Sequence, residues 1–171
     1  LWQHAYAAVY KDLSYGNGPR STPAVFDGRV YTLGAVGHLH CLDATTGKTL
    51  WSKDLVKETK ADVPLWGFSA SPIVVDDLLI IHAGAKPTGC LLALDRRTGK
   101  EAWRSISDPA GYATPLLIQR GKHRQLVCWT PTHIRGLDPA TGRVAWSNEF
   151  RVHNGTSISM PIYHDGLVLV S

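Results

Sequence analysis

The chain has only three cysteines in 171 residues, Cys41, Cys90 and Cys128, and they are neither adjacent nor spaced as Cys-x-x-Cys. No zinc or dithiol redox motif is therefore present. Each lies in an extended-looking run, which makes it a small buried hydrophobe, and a Cys41–Cys90 pair stays open. No run of eighteen apolar residues occurs, so no membrane-crossing helix is expected. No signal peptide is visible, but the chain begins inside a repeat and reads as a piece of a longer protein. A sustained 3.6-residue apolar stripe is missing, which argues against a helical domain. The net charge is +4, spread over turns. The densest basic cluster, Arg120-Gly121-Lys122-His123-Arg124, reads as a solvated hairpin tip, so no nucleic-acid partner is expected. There is no Ser/His/Asp order, Gly-rich phosphate loop or calcium loop, and no catalytic residue or metal site is assigned.

What the sequence does hold is one stretch, repeated. Cys41-Leu42-Asp43-Ala44-Thr45-Thr46-Gly47-Lys48-Thr49-Leu50-Trp51 returns from Ala93 through Asp95 and Gly99 to Trp103. It returns again from Gly136 through Asp138 and Gly142 to Trp146, and Leu1-Trp2 is the tail of a further copy. Each copy reads as strand, turn, strand. The aspartate side chain accepts from backbone N–H groups two or three residues on. The glycine takes the left-handed position that closes a type I turn. Positions two apart share a strand face, and both faces carry apolar residues, so each sheet should be covered on both sides. The small residues Cys41, Ala93 and Gly136 leave room for a large neighbour, and each copy supplies one tryptophan. The expectation is that an indole, with roughly 150–250 Å² to bury, docks against the small residue of the adjoining copy.

The motif tryptophans recur at intervals of about 40–50 residues, the period of a four-stranded propeller blade. The segments are read as a last strand at 1–10, blades at 21–55, 69–105 and 113–150, and two opening strands at 158–171. Asp27-Gly28, Asp76-Asp77 and Asp165-Gly166 mark two-residue hairpin turns. A longer tip is expected between residues 119 and 125, and a polar loop over 56–68. The fold class is all-β, a partial propeller of about four blades. Two chains joined head to tail would give an eight-position ring, as half plus half.

The pattern small-x-Asp-x-x-x-Gly-Lys/Arg-x-x-Trp resembles the tryptophan-docking motif of the quinoprotein-type β-propellers, the PQQ-dependent alcohol dehydrogenases and their non-catalytic relatives. These relatives include the outer-membrane assembly propeller of Gram-negative bacteria. Leu65-Trp66-Gly67-Phe68 and the run from Gly18 to Pro23 resemble secreted PQQ-like repeat proteins of planctomycete-type bacteria. The resemblance implies a periplasmic or secreted module that binds a protein or small ligand at its loop rim, without a cofactor. The alternative it implies is a PQQ-dependent dehydrogenase with Ca²⁺. Such enzymes carry a vicinal Cys–Cys pair and an Asn/Glu calcium set; this chain has no Cys-Cys, and Asn17, Asn148 and Asn154 have no acidic cluster beside them. Fold alone does not decide.

In such propellers one rim gathers the loops between blades and those joining the second and third strands. The rim residues with binding character are Tyr15, Arg20, Trp66, Phe68, Tyr112, Trp129, His133, His153 and Asn154. Trp66 and Phe68 form either a recognition surface or a plug between blades; Arg20 clamps either a carboxylate or carbonyl groups. His38 and His40 share a strand face, a geometry that suits either a metal or a structural role. His4, His82, His123 and His164 read as isolated.

Overall fold

The computed structural model describes every residue except 12, 14 and 15; Tyr15 therefore lies outside the described residues. Blade 1 is built from β1 (Ala24–Phe26), β2 (Arg29–Leu33), β3 (His38–Asp43) and β4 (Thr49–Asp54). Blade 2 follows as β5 (Ile73–Val75), β6 (Leu78–His82), β7 (Leu91–Asp95) and β8 (Glu101–Ser105). Blade 3 comprises β9 (Leu116–Arg120), β10 (His123–Trp129), β11 (His133–Leu137) and β12 (Val144–Glu149), and the hairpin β13 (Ile162–His164) and β14 (Leu167–Leu169) comes last. Each four-stranded sheet is an antiparallel meander in chain order. The molecule is a partial, unclosed β-propeller.

The repeated stretch folds the same way three times. Asp43 Oδ1 accepts from the Thr45 and Thr46 N–H groups at 3.0 and 2.7 Å, and Asp95 Oδ1 from Arg97 and Thr98 at 3.1 and 2.8 Å. Asp138 Oδ1 accepts from Ala140 at 2.8 Å. The turn glycines Gly47, Gly99 and Gly142 sit at φ 72°, 72° and 71°, and each N–H donates to the aspartate carbonyl at 2.8 Å. A register shift follows the small residue in each blade, between Cys41 and Leu42, Ala93 and Leu94, and Gly136 and Leu137. Three copies with the same bulge and the same glycine-closed turn show that the local chemistry, more than its neighbours, sets this geometry.

The tryptophans do not dock where the sequence suggests. Cys41, Ala93 and Gly136 are the cross-strand partners of Trp51, Trp103 and Trp146 in their own sheet. The small side chain clears space for the indole beside it, and the indole reaches the turn glycine of the next blade. A Cβ on Gly99 would stand 2.9 Å from the Trp51 ring, and one on Gly142 2.5 Å from Trp103. Trp51 Nε1 donates to Arg96 O at 3.1 Å, and Trp103 Nε1 to Pro139 O at 3.2 Å. Trp2 does the same to blade 1, over Gly47 and onto Ala44 O at 2.9 Å. Trp146 meets no such turn among the described residues, and its Nε1 donates to Gln125 Oε1 at 3.2 Å.

Between blades 1 and 2 lie Tyr31, Leu33, Leu39 and Cys41 against Leu79, Ile81, Leu92 and Leu94. The opposite face of blade 2, with Ile80, Leu91 and Ala93, packs on Leu126, Cys128 and Leu137 of blade 3. Blade 3 turns Val127, Trp129 and Ile134 toward Val168 and Val170. This alternation is why both faces of each strand read as apolar. Hydroxyls before the first-strand prolines add cross-ties: Thr22 N–H donates to Ser71 Oγ and Ser71 N–H to Thr114 Oγ1, both at 2.9 Å. Arg96, with its side chain 5% exposed, ties the opposite rim through Asp27 at 2.9 Å and Asp77 at 3.4 Å, with Phe26 beneath its guanidinium.

Three expectations change, and one open alternative closes. Residues 1–10 form no strand, because among the described residues no third strand lies beside them to complete a ladder. The tip of blade 3 is two residues, with Arg120 opposite His123 and Gly121 at φ 60°; the exposed charged residues extend the strands instead of loosening them. The loop after blade 1 opens with a one-turn helix, α1 (Leu55–Thr59), capped by Asp54 accepting from the Lys57 N–H at 3.1 Å; one turn is too short to show a 3.6-residue stripe. The three thiols are buried and unpaired, so no Cys41–Cys90 bridge forms.

Gly99→Ala is expected to cost about 2 kcal/mol in urea unfolding. The left-handed backbone is strained for alanine, at roughly 1 kcal/mol, and the new methyl meets the Trp51 ring for a similar amount.

Candidate functional site

The rim is made by loops that hydrogen-bond one another through their backbones. The Phe68 N–H donates to Ala35 O at 2.8 Å and the Lys86 N–H to Thr59 O at 3.0 Å. Gly89 and Cys90 both donate to Ile106 O, at 2.8 and 3.0 Å, and Val152 to Pro131 O at 3.0 Å. Ile106 holds φ 53°, a conformation that a β-branched side chain resists by about 1–3 kcal/mol; its carbonyl is thereby aimed at two donors. The loops between blades are thus tied down rather than loose.

A groove of about 370 Å³ opens between these loops, walled by Asp62, Leu65, Lys86, Asp108, Tyr112 and Asn154. Lys86 and Asp62 form an ion pair across its edge. Leu65 is 62% exposed at its lip. Beside it the Trp66 and Tyr112 rings lie 5.2 Å apart, and Arg20 donates to the Trp66 carbonyl and to Gly16 O at 2.7 Å. Arg20 therefore spends donors on carbonyls. Asn154 is exposed in the left-handed region at φ 55°.

Two aromatic candidates leave the rim. Phe68 is 2% exposed and sits in the core between blades 1 and 2; Trp129 is 2% exposed and packs edge-on to Phe150 at 5.8 Å. Their surface role is corrected: the Phe68 loop folds inward between the blades, and Trp129 ends β10, paired with Ile134. His153 is exposed and serves the local turn, its carbonyl accepting from Thr156 Oγ1 at 2.8 Å.

The groove's ionic floor carries no sequence motif. Asp108 Oδ2 accepts from Arg135 at 2.5 Å, from Thr132 Oγ1 at 2.8 Å and from Thr130 Oγ1. His133 Nδ1 lies 3.5 Å away, so His133 joins this network rather than facing a ligand. Burial by itself would raise the Asp108 carboxyl, but the Arg135 guanidinium and the two threonine hydroxyls outweigh it and hold it at about 2. Because the folded value is depressed, this stabilisation is present above the ordinary carboxylate range and is lost as pH falls from about 4 toward 2. The depression is equivalent to roughly 2 kcal/mol. Asp108→Asn should cost at least about that much at pH 7, since three donors lose their anion, and should flatten the urea-unfolding profile below pH 4.

His82 is not isolated either. It is 1% exposed, and Nε2 accepts from the Gly111 N–H at 3.1 Å, which fixes the proton on Nδ1, 3.4 Å from Ala113 O. The Cys90 thiol lies 3.0 Å from Nε2 and donates to Pro109 O at 3.2 Å. Burial brings the imidazole down to about 4 and pushes both Cys90 and Cys128 thiols upward. The arrangement is a neutral clasp between rim loops. It does not activate the sulfur, because no thiolate forms there near neutral pH.

Known proteins share this build. The crystal structure of BamB from Moraxella catarrhalis superposes with a TM-score of 0.65 at 19% identity, over 91% of this chain and 47% of that one. Quinohemoprotein alcohol dehydrogenase ADH-IIG of Pseudomonas putida is 31% identical over 73% of this chain and 17% of its own length. The outer membrane protein assembly factor BamB of Xanthomonas campestris pv. campestris is 35% identical over 52% of this chain and 21% of its own. The chain thus spans about a fifth or less of these curated relatives. The family described as outer membrane protein assembly factor BamB matches residues 1–171, and the chain belongs to that family.

Proposed function

We propose that this chain is a non-catalytic propeller module of the bacterial cell envelope, whose loop rim is a rigid platform for a protein partner. One observation carries the reading. The rim groove is open and apolar-lipped, and its walls come from loops of successive blades that are cross-tied before any partner arrives. A surface ordered in advance loses little entropy on binding. The BamB relatives support a platform role, and the family resemblance supports the envelope location. The loop pair Trp66 and Tyr112, with Leu65 at the lip, supplies the kind of aromatic anchor that dominates protein interfaces.

The dehydrogenase reading has the Pseudomonas putida relative in its favour. The residues present do not fit a quinone site: the three thiols are buried one by one. Among the described residues no three His, Cys, Asp or Glu side chains gather as a cation site.

Leu65→Arg, at a side chain 62% exposed, should leave thermal unfolding unchanged and weaken retention of envelope proteins on the immobilised chain at least about tenfold. Unaltered retention would refute the rim as the platform. In a parallel assay, PQQ with Ca²⁺ and an artificial electron acceptor should give no dye reduction; dye reduction would reinstate the enzyme. A head-to-tail pair of chains belongs to the same reading, with residues 1–10 re-pairing beside the partner's β13–β14. A monodisperse monomer in light scattering would remove it.

A further inference from the structure

Of the asparagines Asn17, Asn148 and Asn154, only Asn154 walls the rim groove, and Gly155 follows it there. The pair belongs to a one-turn 3₁₀ helix, His153–Gly155. Asn154 is exposed, with its backbone at φ 55° and ψ 20°, a region that asparagine visits more readily than most residues. Among the described residues its carboxamide makes no hydrogen bond. The turn itself is weakly closed. The Gly155 N–H donates to Val152 O and the Thr156 N–H to His153 O, both at 3.3 Å, beyond the usual range for such bonds. Thr156 Oγ1 adds the one short bond, to His153 O at 2.8 Å.

This turn hangs between two firm anchors. On one side the Val152 N–H donates to Pro131 O at 3.0 Å. On the other, Ser157 is fully buried, and its carbonyl accepts from the Tyr112 and Ala113 N–H groups at 3.0 and 2.8 Å. Residues 153–156 can therefore open as one short unit while the blades hold. There is room for the peptide to rotate: a Cβ on Gly155 would come no nearer than 3.8 Å to Pro131. Glycine also puts no side chain between its own nitrogen and the Asn154 carboxamide. Asparagine is one of the thermally labile residue types, and here nothing shields it.

The geometry points to a self-modifying position: Asn154 deamidates spontaneously in the folded chain and places a carboxylate on the groove wall. The Gly155 amide nitrogen bonds to Asn154 Cγ, the Cγ–Nδ2 bond breaks, and the proton of the attacking N–H leaves on the departing nitrogen as ammonia. Water then opens the resulting ring at either carbonyl carbon, giving aspartate or isoaspartate. Nothing is oxidised or reduced, and water is the only co-reactant. Asn148 is held differently, on β12 opposite Ile134 and followed by Glu149, so its ladder keeps the next nitrogen away. Asn17–Gly18 shares the dipeptide but lines no part of the groove. The new charge counts because the groove's other charges are spent. Asp62 and Lys86 pair with each other, and Asp108 pairs with Arg135. On the platform reading, on which this consequence rests, the amide form admits a partner with acidic side chains and the acid form repels it, an effect that salt screens.

The test incubates the folded chain at mildly alkaline pH, then digests it with trypsin for mass spectrometry. The peptide that begins at Val152 should gain the mass of an amide-to-acid exchange and split into two chromatographic forms. The peptide from Val144 to Arg151, which carries Asn148, should stay as it is. Conversion should quicken as pH rises, because the attacking amide must shed its proton, and Asn154→Gln, with one more methylene in the ring to be closed, should abolish it. A Val152 peptide that keeps its amide in the folded chain, yet loses it once the chain is unfolded in urea, would overturn the site. Retention on the immobilised chain reads the consequence separately. Asn154→Asp should weaken retention of acidic envelope proteins at low salt; equal retention would strip the new charge of any effect on partners. If Leu65→Arg changes no retention at all, the platform falls and the loss of ammonia still stands or falls on the peptide masses.

Discussion

Trp51→Ala is expected to lower the unfolding free energy by about 3–5 kcal/mol in urea or guanidinium titrations. A domain of this size holds only about 5–15 kcal/mol in total, so the variant should sit near the edge of folding. Three losses combine. The indole leaves the core between blades 1 and 2, where it lies 6.2 Å from Tyr31. Arg96 O loses the Nε1 donor, although Tyr31 Oη still donates to that carbonyl at 3.1 Å. Gly99, held at positive φ under the ring, keeps its backbone cost and loses the packing that the bare Cα allows. Trp146→Ala is the internal comparison. Its ring clears the same kind of small residue but meets no turn glycine of a following blade among the described residues. Its cost should be about half or less of that at Trp51. Equal costs would mean that indole burial within a sheet, and not the bridge between sheets, is what matters.

The second large effect is acid destabilisation through His82. Burial holds its imidazole at about 4, against an ordinary value of 6.5. Below pH 6.5 the unfolded chain takes a proton that the folded chain refuses until pH 4. The unfolded state binds more protons throughout that window, so stability must fall as pH falls. The slope is about 1.4 kcal/mol per pH unit and the total about 3 kcal/mol. The contribution is fully present above pH 6.5 and gone below 4. His82→Gln keeps an acceptor for Gly111 and a donor for Ala113, and it should remove this share of the slope. His40, whose imidazole burial also lowers, adds a slope of the same sign below pH 6.5. An unchanged slope in His82→Gln would show that the clasp between rim loops does not titrate as described.

The repeat was legible because its determinants are local. Asp43, Gly47 and Trp51 act within nine residues of chain, and each copy repeats the same chemistry, so strand order and turn type follow from the string alone. The destination of the indole was not legible. Cross-strand pairing places Cys41 beside Trp51 within one sheet, while the turn of the next blade lies some forty residues on. A small residue opposite a large one looks the same whether the two belong to one sheet or two. The rim was harder still. Phe68 occupies a loop position that looks exposed, and only the inward fold of that loop buries it, while Trp129 ends β10 and is buried against the Phe150 ring. Asp108 stands 22 residues before Thr130 and carries no motif with it, Thr132 or Arg135, so the ionic floor exists only once the loop after blade 2 packs on blade 3. His82 and Cys90 likewise meet across the connection between β6 and β7. His38 and His40 were visible as a pair on one face, but His4, whose ring lies 5.0 Å from that of His40, came from a segment expected to be a strand.

The central claim is that each indole wedges its own sheet onto the turn glycine of the next. A double-mutant cycle between Trp51→Ala and Gly99→Ala tests it directly by equilibrium unfolding. If the ring lies on Gly99, the added methyl is a steric cost only while the ring is there. Gly99→Ala should then cost about 2 kcal/mol in the native chain and about 1 kcal/mol, the backbone strain alone, in Trp51→Ala. Costs that add, with no coupling between the two sites, would contradict the account.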